Sequence, residues 1–504
     1  MTTARLAVLV LSLAAIGVAL WHLERGSRGL TVVETAIGGT PVILRHPVAG
    51  MSGPAVVIAH GFAGSRQLMA PFAVTLARNG YTTLTFDFLG HGRNPAPLVG
   101  DVTTEAGATA ALVAELGRIV DHAAGLPGVD GRIALLGHSM ASDIVVRQAV
   151  NDPRVAATVA VSLFSRAVTD RAPRNLLIVV GAWERFLGQA ALETVSRSIE
   201  GLAEEARTYE IGPGNLRRAV FADNAEHVAV LYSRESMAEA LDWVDLVFNR
   251  EGAGAGYLEL RGPWIVLLLG GIVALAWPLA GLLPRLAMPQ AGAGLGWRGV
   301  LVATGGPALA TPLLLWQAPT DFLPVLVADY LAVHFALYGL LCMAALWALG
   351  ALPRGIGSRP GGTLLAALAL GMIGVGAIGA ALDAYVASFL PQAGRVPLTL
   401  ALLAGTLPYL LAEEWATRGA GSPRWAYAAA KLAMFLSLAL AVALNLEDLF
   451  FLIIILPVVV LFFLLYGLFS GWAVRATGQP AVAGLANAVA FAWALGVTFP
   501  LLDG

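Results

Sequence analysis

Hydrophobic and polar positions divide this chain into two parts with different patterns. Between Gly26 and Arg261, short apolar runs alternate with polar segments and with stretches of helical periodicity. From Pro263 to Leu502 the chain is mostly apolar, and it includes long stretches without charge. Short buried strands alternating with helices are typical of a doubly wound, mostly parallel sheet. The first part therefore predicts an α/β domain, and the second predicts a polytopic, all-α membrane domain.

The α/β part begins with a hairpin predicted over 31–48, which turns at Gly38 and Gly39. Further strands are predicted at 54–60, 81–86, 132–136, 155–164, 175–180 and 217–221. Helices are predicted at 65–79, 104–124, 186–206 and 235–248, and another one after residue 140. The regular alternation of the two element types supports a parallel sheet covered by helices.

An apolar segment, Leu6–Trp21, precedes the α/β part, and eight apolar runs follow it. These runs lie near 264–283, 299–316, 322–350, 363–388, 396–412, 425–444, 448–470 and 481–501. Each is long enough to cross a hydrocarbon core of roughly 30 Å as a helix. The first segment is either a cleaved secretory signal or an uncleaved anchor, and the bulky residues Leu20 and Trp21 favour the anchor. We predict an anchor at 1–24, an α/β domain at 25–262 and a membrane domain at 263–504.

Arginine residues orient the predicted spans because they fall in alternate connections. The connections concerned contain Arg285, Arg298, Arg354, Arg359, Arg418, Arg424 and Arg475. By the positive-inside rule these connections are cytoplasmic. The α/β domain is then extracytoplasmic, and the N-terminus with Arg5 is cytoplasmic. We expect an integral protein of a bacterial inner or plasma membrane.

Composition excludes some classes of function. The net charge of −2 gives no electrostatic basis for nucleic-acid binding. A single cysteine, Cys342, excludes an intrachain disulfide. We expect no metal and no cofactor, and the sequence leaves the oligomeric state open.

The clearest chemical motif is Gly137-His138-Ser139-Met140-Ala141, which lies between a predicted strand and a predicted helix. A Gly-x-Ser-x-small sequence in this position describes a nucleophile elbow, in which a sharp turn exposes the serine hydroxyl. Glycine is commoner than alanine at the last position, where the added methyl group is small. Ser139 is therefore the candidate nucleophile.

Two further motifs accompany the elbow, His60-Gly61-Phe62 and Asp87-Phe-Leu-Gly-His-Gly92. Together the three motifs resemble the α/β-hydrolase superfamily over about residues 30–250. They are most similar to its monoacylglycerol-lipase and dienelactone-hydrolase-like branches. The resemblance implies an α/β-hydrolase fold and a serine hydrolase that works through an acyl-enzyme.

The same resemblance implies the remaining site residues. The acid should follow the strand at 175–180, where Glu184 stands, although aspartate is the usual residue, and Asp223 is the alternative. The base should follow the last strand, where His227 stands. The backbone N–H groups of Phe62 and Met140 should form the oxyanion hole. His60, His91 and His138 are expected to be structural.

The expected substrate is a lipid or another acyl ester, with membrane lipids as partners. The interval 165–174 is too short for the cap common in lipases, so the site should be open or covered by the membrane domain. Amide, peptide or thioester hydrolysis by the same residues is an alternative. Another alternative is a transporter or lipid-handling protein whose hydrolase-like domain is non-catalytic.

Several ionisable residues lie within the predicted spans. The residues predicted on the side of the hydrolase domain are Asp329, Tyr330, His334, Asp383 and Tyr385. They either line a polar pocket, form hydrogen bonds to that domain, or join helices and anchor them at the membrane interface. Glu413-Glu414-Trp-Ala-Thr-Arg418 resembles a motif of membrane-embedded CAAX-type proteases. Those enzymes also need histidines in later spans, and no histidine follows His334. We interpret the motif as the charged cytoplasmic end of a helix.

Overall fold

A computed structural model describes residues 2–102, 104–250, 256–353 and 359–503 of the 504-residue chain. Its α/β part is built around one nine-stranded sheet in the order β1-β2-β4-β3-β5-β6-β7-β9-β8. The strands are β1 (Leu30–Ile37), β2 (Thr40–Pro47), β3 (Gly53–Ala59), β4 (Thr82–Phe86), β5 (Val129–His138), β6 (Val155–Val161), β7 (Leu176–Gly181), β8 (Tyr209–Gly212) and β9 (Asn215–Ala222). The six strands from β4 to β9 in this order run parallel, and β1, β2 and β8 extend the edges antiparallel.

Helices cover both faces of the sheet because each central strand is apolar on both sides. Val56 and Ile58 of β3 pack into one helix layer, and Ala55 and Val57 of the same strand pack into the opposite one. The helices of this half of the chain are α1 (Thr3–Arg25), α2 (Ala70–Arg78), α3 (Ala110–Ala124), α4 (Met140–Asn151), α5 (Arg185–Ser196) and α6 (Arg234–Phe248). One layer contains α2 and α6, and the other contains α3, α4 and α5. The predicted doubly wound, mostly parallel sheet is confirmed.

Nine helices in the described part of the chain are long and apolar enough to cross a membrane. The helix α1 is the first of them. The others are α7 (Gly262–Ala280), α8 (Trp297–Leu315), α9 (Ala328–Ala348), α10 (Pro360–Tyr385), α11 (Ala393–Ala416), α12 (Ala426–Leu444), α13 (Leu446–Thr477) and α14 (Pro480–Thr498). Helix α1 packs along α7, and α11 packs against both α9 and α14. Each apolar run identified in the sequence overlaps one of these helices. The predicted loop residue Arg354 lies outside the described residues.

Two helix boundaries predicted for the α/β part are wrong, and one strand was missed. The helix predicted at 65–79 begins only at Ala70, because residues 65–69 form turns. The helix predicted at 186–206 ends at Ser196. Beyond that helix, Gly201 and Ala206 adopt positive φ values of 102° and 59°, which a helix cannot contain. The four-residue edge strand β8 was not predicted, because so short a strand leaves little pattern.

Glu413 and Glu414 lie in the last turn of α11, at a helix end as predicted, but both side chains are buried. The Nζ atom of Lys431 lies 2.6 Å from Oε2 of Glu413. The Nε atom of Arg418 lies 3.2 Å from Oε2 of Glu414. Buried charges in an apolar surrounding require such partners. The motif is therefore a paired ionic cluster between helices.

Candidate active site

Ser139 stands on a sharp turn between β5 and α4, with φ 54° and ψ −119°. Positive φ is rare for a residue with a side chain and marks a strained backbone. The turn requires glycine at position 137, because a Cβ there would lie 2.3 Å from the carbonyl oxygen of Ala141. The Ser139 N–H donates to the carbonyl of Val161 over 2.9 Å, which fixes the turn to β6.

The structure brings Ser139, His227 and Glu184 together from three separate segments. The Oγ atom of Ser139 lies 2.9 Å from Nε2 of His227. On the other side of the ring, Nδ1 lies 2.5 Å from Oε1 of Glu184. A carboxylate accepts only, so Nδ1 carries the proton and Nε2 is free to accept the serine proton. The His227 side chain is 35% exposed and that of Glu184 is 7% exposed, so the ring is reachable from outside.

The glutamate has three hydrogen-bond donors. Besides His227, the hydroxyl of Ser162 donates to its Oε2 over 2.7 Å, and the N–H of Gly181 donates over 2.8 Å. Burial opposes ionisation of the carboxyl group, but these hydrogen bonds outweigh it and lower the pKa of Glu184. Glu184 is therefore a carboxylate at neutral pH. Asp223, the alternative acid, is exposed, and Glu184 is the residue that accepts the hydrogen bond from Nδ1 of His227.

Phe62 and Met140, the predicted oxyanion donors, lie in segments next to Ser139. Met140 is the first residue of α4, so its N–H has no acceptor within the helix. Gly61 packs directly on the nucleophile turn: a Cβ there would lie 3.0 Å from both Ser139 Cβ and the His138 carbonyl oxygen. The backbone N–H of Phe62, the residue after Gly61, therefore lies close to Ser139. Two backbone donors at this position suit a developing negative charge.

Asp87 holds the loop after Phe62, which we call the oxyanion loop (residues 61–68). Its fully buried carboxylate accepts the backbone N–H of Arg66 over 2.7 Å. It also accepts the backbone N–H of Arg93 over 3.0 Å. Gly92 must be glycine because its φ is 52° and a Cβ would lie 2.5 Å from Cγ of Asp87. The Asp-x-x-Gly-x-Gly motif thus ties the loops after β3 and β4 together.

The three other histidines near the site are structural in their contacts. The Nδ1 atom of His60 lies 2.8 Å from the Gly61 carbonyl, and its Nε2 accepts the N–H of Phe88 over 3.1 Å. This pattern needs a neutral ring, and burial lowers the pKa of His60 accordingly. Burial likewise lowers the pKa values of His91 and His138 to about 3. The Nε2 atom of His138 lies 2.8 Å from the carbonyl oxygen of His227 and therefore donates to it.

Two serines near the site were not identified from the sequence. Ser162 follows β6 with φ 54° and contacts Glu184, as described above. The hydroxyl of Ser142 donates to the Ser139 carbonyl over 2.6 Å and accepts the Phe164 N–H over 3.2 Å. The only feature of the sequence that could have indicated Ser162 is its position at the carboxyl end of a parallel strand.

No group of three or more His, Cys, Asp or Glu side chains suited to a metal occurs among the described residues.

Residues 52–235 match the family model described as Serine aminopeptidase, S33. The matched region contains strands β3 to β9, the elbow and all three residues of the Ser139–His227–Glu184 series. The domain has the α/β-hydrolase fold. Two uncharacterized proteins from two strains of Mycobacterium tuberculosis are each 36% identical to this chain over 109 residues, or 21% of its length. The chain spans 36% of the length of these curated relatives.

Solved structures similar to this α/β-hydrolase domain include an esterase of Pyrococcus furiosus and a bacterial membrane phospholipase A. The esterase is 16% identical, and the match covers 45% of this chain and 95% of that chain with a TM-score of 0.34. The phospholipase is 15% identical, and the match covers 48% of this chain and 93% of that chain with a TM-score of 0.33.

Proposed function

We propose that this protein is a membrane-anchored serine hydrolase that cleaves a lipid or other acyl ester. The observation that carries the proposal is the hydrogen-bonded series Ser139–His227–Glu184, with distances of 2.9 Å and 2.5 Å. A serine hydroxyl becomes an effective nucleophile when a base removes its proton during attack. The tautomer set by Glu184 leaves His227 Nε2 ready for this role.

The reaction then has two stages, acylation and deacylation, and in each of them His227 first accepts a proton and then returns it. Ser139 Oγ attacks the ester carbonyl carbon while His227 accepts the hydroxyl proton, and the carbonyl oxygen becomes negative. The N–H groups of Phe62 and Met140 stabilise that charge. His227 returns the proton to the leaving alcohol, which leaves an acyl group on Ser139. Water, deprotonated by His227, attacks this acyl-enzyme, and the departing Ser139 oxygen recovers the proton.

A lipid substrate is supported by the apolar surroundings of the site. The Phe62 ring lies 4.5 Å, centroid to centroid, from that of Phe451 in α13. Three aromatic side chains near the site are largely exposed: Phe164 by 66%, Trp183 by 65% and Phe186 by 76%. We call these three the aromatic collar. Exposed apolar groups beside helices that can span a membrane fit contact with lipid.

The proposed location is a bacterial inner or plasma membrane, with the hydrolase domain extracytoplasmic and the N-terminus cytoplasmic. Alternation of the arginine-bearing connections supports this orientation. The buried Arg395, which lies at the start of α11 on the opposite side, donates to the carbonyls of Phe499 and Gly90 over 2.6 Å and 2.7 Å. These contacts within the protein explain why Arg395 lies on the side opposite to the other arginines. The proposal includes no oligomeric state.

Amide or peptide hydrolysis is the second candidate, because the matching family model is described as an aminopeptidase. The same proton transfers would serve an amine leaving group. The third candidate, a transporter or lipid-handling protein with a non-catalytic domain, gains no support from a complete series of hydrogen bonds at Ser139.

Hydrolysis assays on the full-length protein in nanodiscs separate these candidates. The substrates are a fluorogenic diacylglycerophospholipid and a monoacylglycerol in vesicles, soluble p-nitrophenyl butyrate, and the matched p-nitroanilide. We expect the highest kcat/KM on a vesicle-borne ester and none above background for Ser139→Ala. Preference for the soluble ester contradicts the lipid proposal, and faster anilide turnover favours the second candidate. Inactivity of the wild type on every substrate favours the third.

A further inference from the structure

A segment of the membrane domain docks directly on the oxyanion loop. This segment, residues 383–390, lies at the end of α10 and just after it. The Ser388 N–H donates to Oγ of Ser65 over 2.9 Å. The Gln67 side-chain amide donates to the carbonyl of Asp383 over 3.1 Å, and the Ser388 hydroxyl donates to Oε1 of Gln67 over 3.2 Å. Ser65, Gln67, Asp383 and Ser388 are all buried, so these contacts lie inside the protein.

An ion pair reinforces the same contact. The guanidinium of Arg93 pairs with Oδ2 of Asp383. The other carboxylate oxygen of Asp383 accepts the N–H groups of Phe389 and Leu390 over 2.9 Å and 3.1 Å, which shapes the docking segment. The backbone N–H of Arg93 donates to Asp87, the carboxylate that also holds Arg66 in the oxyanion loop. Asp383 is thus connected to the oxyanion loop by two routes.

The chain end and α13 contact the same side of the hydrolase domain. The N–H of Leu98 donates to the carbonyl of Leu501 over 2.8 Å, and the N–H of Leu501 donates to the carbonyl of Gly90 over 2.9 Å. Helix α13 has 32 residues, about 48 Å, whereas the hydrocarbon core is roughly 30 Å thick. The excess length brings its first turns, with Phe451, against the Phe62 ring.

These contacts matter because an oxyanion donor acts only in the correct place. Residues 61–68 contain no helix or strand that would hold the Phe62 N–H by itself. Asp87 holds the loop from within the hydrolase domain, and the docking segment holds it from the membrane domain. A misplacement of about 1 Å can reduce a rate roughly 100-fold.

We propose that Asp383, Ser388 and Arg93 are positioning residues that hold the Phe62 N–H in the oxyanion hole through Ser65 and Gln67, so that the membrane domain completes the active site of the hydrolase domain. The proposal rests on the proposed function, because it assumes that Ser139 is a nucleophile. It assigns no contact with substrate to any of the three residues. Loss of a positioning contact should lower kcat more than it changes KM.

The test uses full-length protein in nanodiscs, with kcat and KM for p-nitrophenyl butyrate and the rate of fluorophosphonate labelling of Ser139. Asp383→Asn keeps a carbonyl acceptor but removes the charge, and Arg93→Gln removes the partner. Arg93→Lys keeps the positive charge. Glu239→Gln is the matched control, because it breaks a half-buried pair with Arg218 of 3.1 Å elsewhere in the same domain.

We expect Asp383→Asn and Arg93→Gln each to slow kcat and labelling about tenfold or more, with KM changed less than about threefold. The double variant should be no slower than the slower single variant, because both remove one interaction. Arg93→Lys and Glu239→Gln should stay within about threefold of wild type. Wild-type rates in folded Asp383→Asn and Arg93→Gln overturn the proposal.

A thermal melt identifies variants that fail to fold. If Asp383→Asn does not unfold cooperatively, Ser65→Ala tests the proposal instead. This variant changes a residue of the hydrolase domain and removes only the acceptor of the Ser388 N–H. A reduced kcat with unchanged KM supports the proposal, and a wild-type kcat overturns it. A wild-type protein that neither turns over nor labels overturns the proposed function and this inference with it. An active wild type with unaffected variants overturns this inference alone.

Discussion

The Nε2 atom of His138 donates a 2.8 Å hydrogen bond to the backbone carbonyl of His227. His138 directly precedes Ser139, so the residue before the proposed nucleophile holds the segment that carries the proposed base, His227. The rings of the two histidines lie 4.9 Å apart, centroid to centroid. This bond links the two segments whose separation decides whether a proton can pass between Ser139 and His227.

His138→Ala should therefore lower kcat by roughly tenfold, because the backbone at His227 loses a buried donor and shifts relative to Ser139. His138→Gln offers a side-chain N–H to the same carbonyl and should recover part of the loss. Steady-state kinetics on p-nitrophenyl butyrate measure both variants. Equal losses of kcat in the two variants would show that kcat depends on the imidazole ring of His138 rather than on its hydrogen bond to His227.

Glu184→Gln should lower kcat by roughly 10³–10⁴, because an amide neither fixes the tautomer of His227 nor stabilises its charged form. The pKa of Glu184 lies below its ordinary value. Its contacts as a carboxylate therefore stabilise the folded state at pH values above the ordinary pKa. This stabilisation is lost as the pH falls through the lowered pKa. The variant should lose less stability than wild type on acidification. Kinetics at pH 7 and melts at pH 7 and pH 4 provide the measurements. A kcat within tenfold of wild type would exclude Glu184 as the acid.

His91→Asn should make the protein less sensitive to acid. Burial and the nearby His60 and Arg395 lower the pKa of His91 to about 3, and Nδ1 donates to the Leu89 carbonyl over 2.8 Å. At pH 5 the unfolded chain binds a proton on this ring that the folded protein does not, so stability falls as the pH drops below about 6.5. At pH 5 this difference in proton binding lowers the free energy of unfolding by about 2 kcal/mol. Thermal midpoints at pH 7 and pH 5 should differ less for the variant, and an equal difference would show that His91 is protonated in the folded state.

Much of the hydrolase domain was predictable because its strands are buried on both faces and its elbow requires small residues. Ser139, Glu184 and His227 could be placed because each follows a strand of the parallel sheet, and such strand ends meet at one edge. Contacts between distant segments could not be predicted. Nothing in the pattern around Asp383 indicates a partnership with Arg93, 290 positions away. The burial of Glu413 and Glu414 likewise depends on Lys431 and Arg418, which only packing brings close.

Phe186→Ala should lower the hydrolysis rate on vesicle-borne lipid by about fivefold or more, because the side chain is the most exposed member of the aromatic collar. The rate on soluble p-nitrophenyl butyrate should fall less. Trp183 lies too close to Glu184 for a clean test, which makes Phe186 the better choice. Leu202→Ala, which removes a still more exposed apolar side chain beyond α5, is the control. An equal loss on both substrates would indicate damage to the site rather than weaker contact with lipid.

Covalent labelling tests the central claim most directly. Full-length protein in nanodiscs is treated with a fluorophosphonate, and the labelled peptide is identified by mass spectrometry in wild type, Ser139→Ala and His227→Ala. We predict one adduct on Ser139 of the wild type, none in Ser139→Ala, and labelling slowed by roughly 10³-fold or more in His227→Ala. Labelling that leaves Ser139 unmodified, or that proceeds at the wild-type rate without His227, would contradict the account.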